Sequence, residues 1–219
     1  VRDRALVTFG VTGFQELLEL ALPGMREYAD RHGYTLLHEP PLALTRPPSW
    51  HKITALLEAL DEYEEALWLD CDVVIVDGSH DLADEIPAGA WQAITLHQTG
   101  EGDVPSAGVW YLRQGMQPVL EAIWRLDRHL HHRWWEQAAL QELLGYTPDR
   151  LPVTRETETD LYRRTHWLDQ DEWNRLYFGP GDLAGARFLH VGPGHPPGHR
   201  AQLMRELTAR DRLAPTKGA

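Results

Sequence analysis

Lysine is almost missing from this 219-residue chain: of its 21 basic residues only Lys52 and Lys217 are lysine, and 33 acidic residues bring the net charge to −12. Such an acidic chain repels phosphate backbones, which argues against non-specific nucleic-acid binding. Cysteine occurs once, as Cys71. That excludes an internal disulfide framework and a cysteine-based zinc site, and it fits a reducing, cytoplasmic setting. No apolar run approaches the length of a membrane-spanning helix, and no signal-peptide pattern follows Val1. Internal repeats and low-complexity segments are absent as well.

What is present is ordinary for a soluble globular protein, with 42% hydrophobic and 25% charged residues. The length suits one full α/β domain over residues 1–219. Tryptophan is the excess, at nine residues. Indole faces suit sugar rings, which carry apolar C–H surfaces, although a buried body with a polar edge explains any single one equally well.

Ala5–Phe9 reads as a buried strand ending at Gly10, and Phe14–His32 as a helix that Pro23-Gly24 should kink or split. Tyr34–Leu37 reads as a strand, Pro40–Pro48 as a proline-rich loop, and Ile53–Leu60 as an amphipathic helix. Further strands are expected at Ala93–Leu96 and Gly108–Leu112, separated by a polar loop from Gln98 to Ser106. Helices are expected at Val119–Leu130, Glu136–Leu144 and Ala201–Arg210, with short elements over Leu151–Tyr177, a last strand at Arg187–Val191 and a frayed tail after Leu213. The alternation of strands and helices in the first third implies a nucleotide-binding type of sheet, parallel there. His129, His131 and His132 read as a helix end rather than a metal site, because neighbours on a helix point in different directions.

The most informative stretch is Ala66–Asp77, an apolar strand that carries Asp70 and Asp72 to its end. Residues i and i+2 of an extended chain point the same way, toward the crevice where open α/β sheets bind ligands. Two such carboxylates with no basic neighbour in sequence repel each other. Mg²⁺ or Mn²⁺, which take oxygen ligands and share them with substrate phosphates, relieves the conflict. A second cluster runs from Phe188 to Arg200: a strand delivers His190 into a glycine-rich turn, with Gly192 and Gly194 free to bring backbone N–H groups to an anion. His195, His199 and Arg200 stand ready for phosphate, the plain alternative being a solvent-facing Pro/Gly loop.

Taken in order, these segments resemble the D-x-D glycosyltransferases of GT-A fold, in particular the galactosyltransferase-like family of plant xyloglucan xylosyltransferases and yeast Golgi α-mannosyltransferases. The likeness is carried by Tyr28-Ala29-Asp30-Arg31-His32-Gly33-Tyr34, by Trp50-His51-Lys52 at a helix start, by Trp68-Leu69-Asp70-Cys71-Asp72, by Ser106-Ala107-Gly108-Val109, by Trp135-Glu136-Gln137-Ala138-Ala139-Leu140, and by His190-Val191-Gly192. Ser106 stands where asparagine is usual and Glu136 where aspartate is usual. The resemblance implies an α/β fold of GT-A type, with a Rossmann-like central mixed sheet flanked by helices. It also implies a donor-binding half over about 1–115 and an acceptor-side half over about 116–213.

The activity it implies is metal-dependent transfer of a sugar from a nucleotide-diphosphate donor, UDP rather than GDP, to a hydroxyl of a glycan, natural product or other acceptor, with retention. Asp70, Asp72 and His190 would hold Mn²⁺ or Mg²⁺. Thr8, Gly10, Ser106, Gly108, Gly192 and His195 would line the donor, and Glu136 and Gln137 would face the reacting sugar. For Lys52, phosphate contact and helix capping both stay open. The chain is shorter than the eukaryotic relatives and lacks their membrane anchor, which suggests a bacterial version. Two alternatives remain at this point: a haloacid-dehalogenase-like phosphohydrolase with Asp70 as nucleophile and Asp72 as acid/base, for which the expected downstream lysine is only Lys217, and a sugar- or nucleotide-binding module without activity.

Overall fold

The computed structural model describes residues 3–11, 13–40 and 45–211; Lys217 and part of the Pro40–Pro48 loop lie outside them. β1 (Arg4–Val7), α1 (Gln15–His32), β2 (Thr35–Leu37), α2 (His51–Glu62) and β3 (Glu65–Leu69) follow one another as expected, and β1 is parallel to both β2 and β3. The short β4 (Val73–Ile75) comes next, then β5 (Gln92–Thr99), β6 (Gly102–Arg113), α3 (Gln117–Trp124) and α4 (Trp135–Leu143). The rest comprises α5 (Asp160–Arg163), β7 (Thr165–Leu168), α6 (Gln170–Trp173), β8 (Arg175–Tyr177), β9 (Phe188–Val191) and α7 (Pro197–Asp211). The main sheet is mixed, in the order β2-β1-β3-β6-β5-β7, with β6 antiparallel to both its neighbours. A second sheet, β4-β9-β8, stands beside it.

Side-chain alternation sorts the central strands onto two buried faces. Leu6, Leu67, Leu69, Val109 and Tyr111 pack with α1 and α7 through Leu17, Ala21, Met25, Met204 and Leu207. Ala5, Val7, Ala66, Trp68, Trp110 and Leu112 pack with α2, α3 and α4 through Ile53, Leu56, Leu60, Leu120, Ile123 and Leu140. Every residue of β3 is buried, because helices cover the sheet on both sides.

Two expectations need correction. Helix α1 is one helix through Pro23 rather than two; the carbonyl that the proline leaves without a helical donor belongs to Glu19, an exposed position open to solvent. The Gln98–Ser106 segment is not a loop but the two arms of the β5–β6 hairpin, paired from Thr99↔Gly102 to Thr95↔Ser106. Its polar composition reflects an edge that is partly exposed, with Val104 and His97 turned inward.

The Tyr28–Tyr34 segment acts as a brace. Asp81 receives Arg4 Nη1 at 2.5 Å, Tyr34 OH at 2.7 Å and the Ala83 N–H at 3.1 Å. Tyr28 OH accepts the Leu82 N–H at 2.8 Å, and His32 Nε2 meets the Gly78 carbonyl at 2.9 Å. These bonds tie β1 and α1 to the chain that follows β4. Removing one partner of a buried charged cluster leaves the others uncompensated. Asp81→Ala is therefore expected to lower unfolding stability by about 3 kcal/mol, read as a reduced urea midpoint.

Candidate metal and sugar-donor site

Asp70 and Asp72 do not lie on an extended strand. β3 ends at Leu69, and the Val73 N–H closes a turn on the Asp70 carbonyl at 2.9 Å. The carboxylates converge through this turn and through the pairing that follows it. In the β4–β9 ladder Val73 faces His190, and the Val191 N–H reaches the Asp72 carbonyl at 2.9 Å. His190 Nε2 consequently stands 3.3 Å from Asp72 Oδ1 and 3.9 Å from Asp70 Oδ2. One ligand atom from each of the three lies within 4.8 Å of the others. Two carboxylate oxygens and an imidazole nitrogen form a donor set that suits Mn²⁺ or Mg²⁺.

Gly108 is what lets the histidine in. A Cβ there would stand 2.6 Å from His190 Cε1 and Nδ1 and 3.3 Å from Asp70 Oδ2. Beside it, Ser106 Oγ accepts from Asn174 Nδ2 at 3.2 Å, and the Asn174 carbonyl meets His97 Nε2 at 2.9 Å. Burial, with His190 nearby, lowers the His97 pKa to about 4. Asn174 and His97 escaped the sequence reading. They lie in segments without a motif, and only the tertiary fold brings them to the site.

The carboxylates are not short of cations, contrary to the argument from sequence neighbours. Asp70 Oδ1 takes Trp68 Nε1 at 2.6 Å and Lys52 Nζ at 2.9 Å, leaving Oδ2 toward His190. Lys52 also binds Glu136 Oε1 at 3.1 Å and the Ala107 carbonyl at 3.1 Å. An ammonium has three donors, and in this structure those of Lys52, 4% exposed, are taken up by Asp70, Glu136 and the Ala107 carbonyl. Burial opposes its charge, but Asp70 and Glu136 outweigh that and raise its pKa.

Glu136 is buried rather than open to a reacting sugar. Burial raises its pKa against the pull of Lys52, and its Oε2 has no hydrogen-bond partner. Gln137, half-buried, accepts the Ala107 N–H through Oε1 at 3.1 Å. Before them stands Trp135, 46% exposed and in the left-handed backbone region at φ 44°, where a side chain costs about 1–2 kcal/mol.

The glycine-rich turn after His190 differs from a phosphate-cradling nest. The Gly192 N–H is bonded to the Tyr177 carbonyl at 2.7 Å, and the His195 N–H to the Gly192 carbonyl at 2.9 Å. Gly192 instead takes a left-handed backbone at φ 59°, with Arg200 Cγ and His195 Cδ2 each 3.4 Å from where a Cβ would be, an ordinary contact. Arg200 Nη1 pairs with Asp72 Oδ2 at 2.5 Å, and its Nε donates to the His195 carbonyl at 2.7 Å. Thr8, just past β1, is buried with an unpartnered Oγ1. Because Val7 pairs with Trp68, it lies level with the end of β3. Gly10 is accounted for by packing: its Cβ would meet the Phe14 carbonyl at 2.6 Å. The histidine-rich segment is tied structurally, His129 Nε2 facing Glu142 Oε2 at 2.7 Å.

Burial pushes the Asp72 pKa up, but His190 and Arg200 more than reverse this and bring it from 3.8 to about 2. His190 is raised in turn: burial opposes its charge and Asp72 favours it. A depressed carboxylate stabilises the fold fully above its unfolded pKa and loses that contribution as pH falls through its folded one. Asp72 is thus expected to contribute about 2 kcal/mol that disappears between about pH 4 and pH 2. Urea unfolding of the parent and Asp72→Asn across that range checks it; the difference in slope is the expected signature.

With this geometry in place, comparison with known proteins is informative. A family model described as the galactosyl transferase GMA12/MNN10 family matches residues 12–91. No curated protein sequence matches the chain. Among solved structures, a glycosyltransferase involved in glycosylation of the major capsid of PBCV-1 superposes with a TM-score of 0.71 at 16% identity, covering 93% of this chain and 99% of that one. The galactosyltransferase LgtC with donor and acceptor sugar analogues superposes at 0.56 and 11% identity, covering 97% of both chains. Mouse xyloside xylosyltransferase 1 gives 0.53 and 13% identity, covering 89% of this chain and 99% of its own. The chain has the GT-A glycosyltransferase fold, and residues 12–91 resemble the galactosyl transferase GMA12/MNN10 family.

Proposed function

We propose that this chain is a metal-dependent glycosyltransferase that moves a sugar from a nucleotide-diphosphate donor, UDP rather than GDP, to an acceptor hydroxyl with retention. The observation that carries the reading is the convergence of Asp70 and Asp72, from the turn between β3 and β4, with His190 of β9. Their oxygens and nitrogen would hold Mn²⁺ or Mg²⁺, which supplies Lewis-acid stabilisation to the leaving diphosphate. LgtC, of the same fold, was solved with donor and acceptor sugar analogues.

The residues divide the work. Lys52 and Trp68 hold Asp70 by one oxygen, so that the other keeps a fixed direction. His190 would have to be neutral to serve as a ligand, so metal binding is expected to strengthen as pH rises. Arg200, on the outer oxygen of Asp72, is the cation placed to meet the diphosphate. Thr8 and Ser106 offer hydroxyls to the donor, and Gln137 keeps its amide N–H₂ for the sugar. Glu136 is tied to Lys52 and is a poor nucleophile. This favours a front-side path: the sugar–phosphate bond breaks, the acceptor oxygen bonds to the anomeric carbon, and the acceptor proton passes to the leaving phosphate oxygen. The phosphohydrolase alternative loses support because the fold is that of GT-A glycosyltransferases. Among the described residues no helix is long and apolar enough to cross a membrane.

The test is binding and slow hydrolysis of UDP- and GDP-sugars, with and without Mn²⁺, on the parent and Asp72→Ala. Metal-dependent binding of a UDP-sugar, lost in Asp72→Ala while the melting curve stays cooperative, is the expected result. Cleavage of a phosphomonoester with Mg²⁺ and no nucleotide binding would overturn the reading.

A further inference from the structure

For the candidate ligands to meet, two sheets have to meet. Asp70 follows β3 of the main sheet, whereas His190 belongs to β9 of the small one. A metal-bound histidine ordinarily donates its second ring N–H to a carboxylate or carbonyl, which fixes the ring. His190 Nδ1 is buried with no such partner among the described residues. The ring instead rests against Gly108, where a Cβ would stand 2.6 Å from its Cε1 and Nδ1. Its place therefore follows from how the small sheet docks on β6.

Asn174 gives that docking its direction. It lies between α6 and β8, fully buried, and β8 pairs with β9 so that Leu176 stands beside His190. Asn174 Nδ2 donates to Thr95 Oγ1 on β5 at 2.8 Å and to Ser106 Oγ on β6 at 3.2 Å. Its carbonyl accepts from His97 Nε2 at 2.9 Å. Among the described residues, the other hydrogen bond that joins this segment to the β5–β6 hairpin runs from the Gln98 N–H to Gln170 Oε1 at 3.2 Å, in an exposed position.

The contact with Ser106 continues to the ligands. Ser106 Oγ takes the Gly108 N–H at 3.4 Å, and the Gly108 carbonyl takes the Asp70 N–H at 2.8 Å. One glycine thus carries the His190 ring on its face and the Asp70 backbone on its carbonyl. Asn174 is joined to His190 through the β8–β9 ladder and to Asp70 through Ser106 and Gly108. An apolar residue of similar volume would fill the same space. The amide adds what packing lacks: its donors are met in one register of the two sheets and in no other.

We propose that Asn174 is the positioning residue of the candidate metal site, docking the sheet that carries His190 onto Ser106 and Thr95 and so setting the span between His190 and Asp70. This rests on the metal-site reading above. The experiment titrates Mn²⁺ alone into the protein and follows it by electron paramagnetic resonance, with nitrogen modulation of the bound ion recording histidine ligation. It compares the parent, Asn174→Ala, Ser106→Ala, the double variant and Asp81→Ala. Asn174→Ala is expected to weaken Mn²⁺ binding by about tenfold or more and to lose the nitrogen modulation. Ser106→Ala should weaken binding in the same direction, and the double variant should be no weaker than Asn174→Ala, because both break one path. Asp81 pairs with Arg4 at the amino end of β1, so Asp81→Ala should unfold at lower urea yet bind Mn²⁺ as the parent does. That control separates position from stability. Parent-like binding and modulation in Asn174→Ala, an equal loss in Asp81→Ala, or additive losses in the double variant would each overturn the proposal. Should Asn174→Ala not unfold cooperatively, Ser106→Ala decides, and unchanged affinity there overturns it. A parent that binds no Mn²⁺ would instead overturn the metal site itself.

Discussion

The site is organised around one buried ammonium. Lys52 sits on α2, and its three donors reach Asp70 after β3, the Ala107 carbonyl within β6 and Glu136 on α4. Desolvating a lone charge of this kind is prohibitive, and it is tolerated because two carboxylates and a carbonyl surround it. Breaking any one contact leaves the others as uncompensated buried charge, so the four elements are locked in a single arrangement. A compact ammonium meets this demand with three donors at one point, which the planar fork of arginine does not. In a chain that otherwise uses arginine almost exclusively, one of the two lysines stands here.

That lock has a direct consequence for chemistry. One oxygen of Asp70 is held by Lys52 and Trp68, and the other faces His190. Asp72 divides its oxygens in the same way, between Arg200 and His190. Each carboxylate therefore presents one oriented oxygen rather than a freely rotating pair, which is the preorganisation a metal–diphosphate site needs. The far end of the same network is α4, where Glu136, Gln137 and Trp135 follow one another.

What was legible in sequence was whatever local pattern controls. An apolar strand ending in two aspartates, a strand ending in His190 and the helix starting near Lys52 are features of neighbouring residues, and each stands where it was expected. What was not legible depended on side chains meeting across the fold. Lys52 has no acidic neighbour in sequence, so its pairing with Glu136, far along the chain, left no local sign. The same is true of Arg200 on Asp72 and of Asn174 on Ser106. The strand argument for Asp70 and Asp72 assumed an extended chain, whereas a turn and the β4–β9 register bring their carboxylates to His190. The glycines after His190 suggested an anion nest, but the Gly192 N–H bonds to the Tyr177 carbonyl and the residue serves a left-handed turn at φ 59°.

The most direct test of this account is a crystal structure with Mn²⁺ and UDP in which anomalous scattering locates the metal. The account predicts the peak between Asp70 Oδ2, Asp72 and His190, with Lys52 still on Asp70 Oδ1 and Glu136. A metal bound elsewhere, or Lys52 drawn off Asp70 onto the diphosphate, would contradict it.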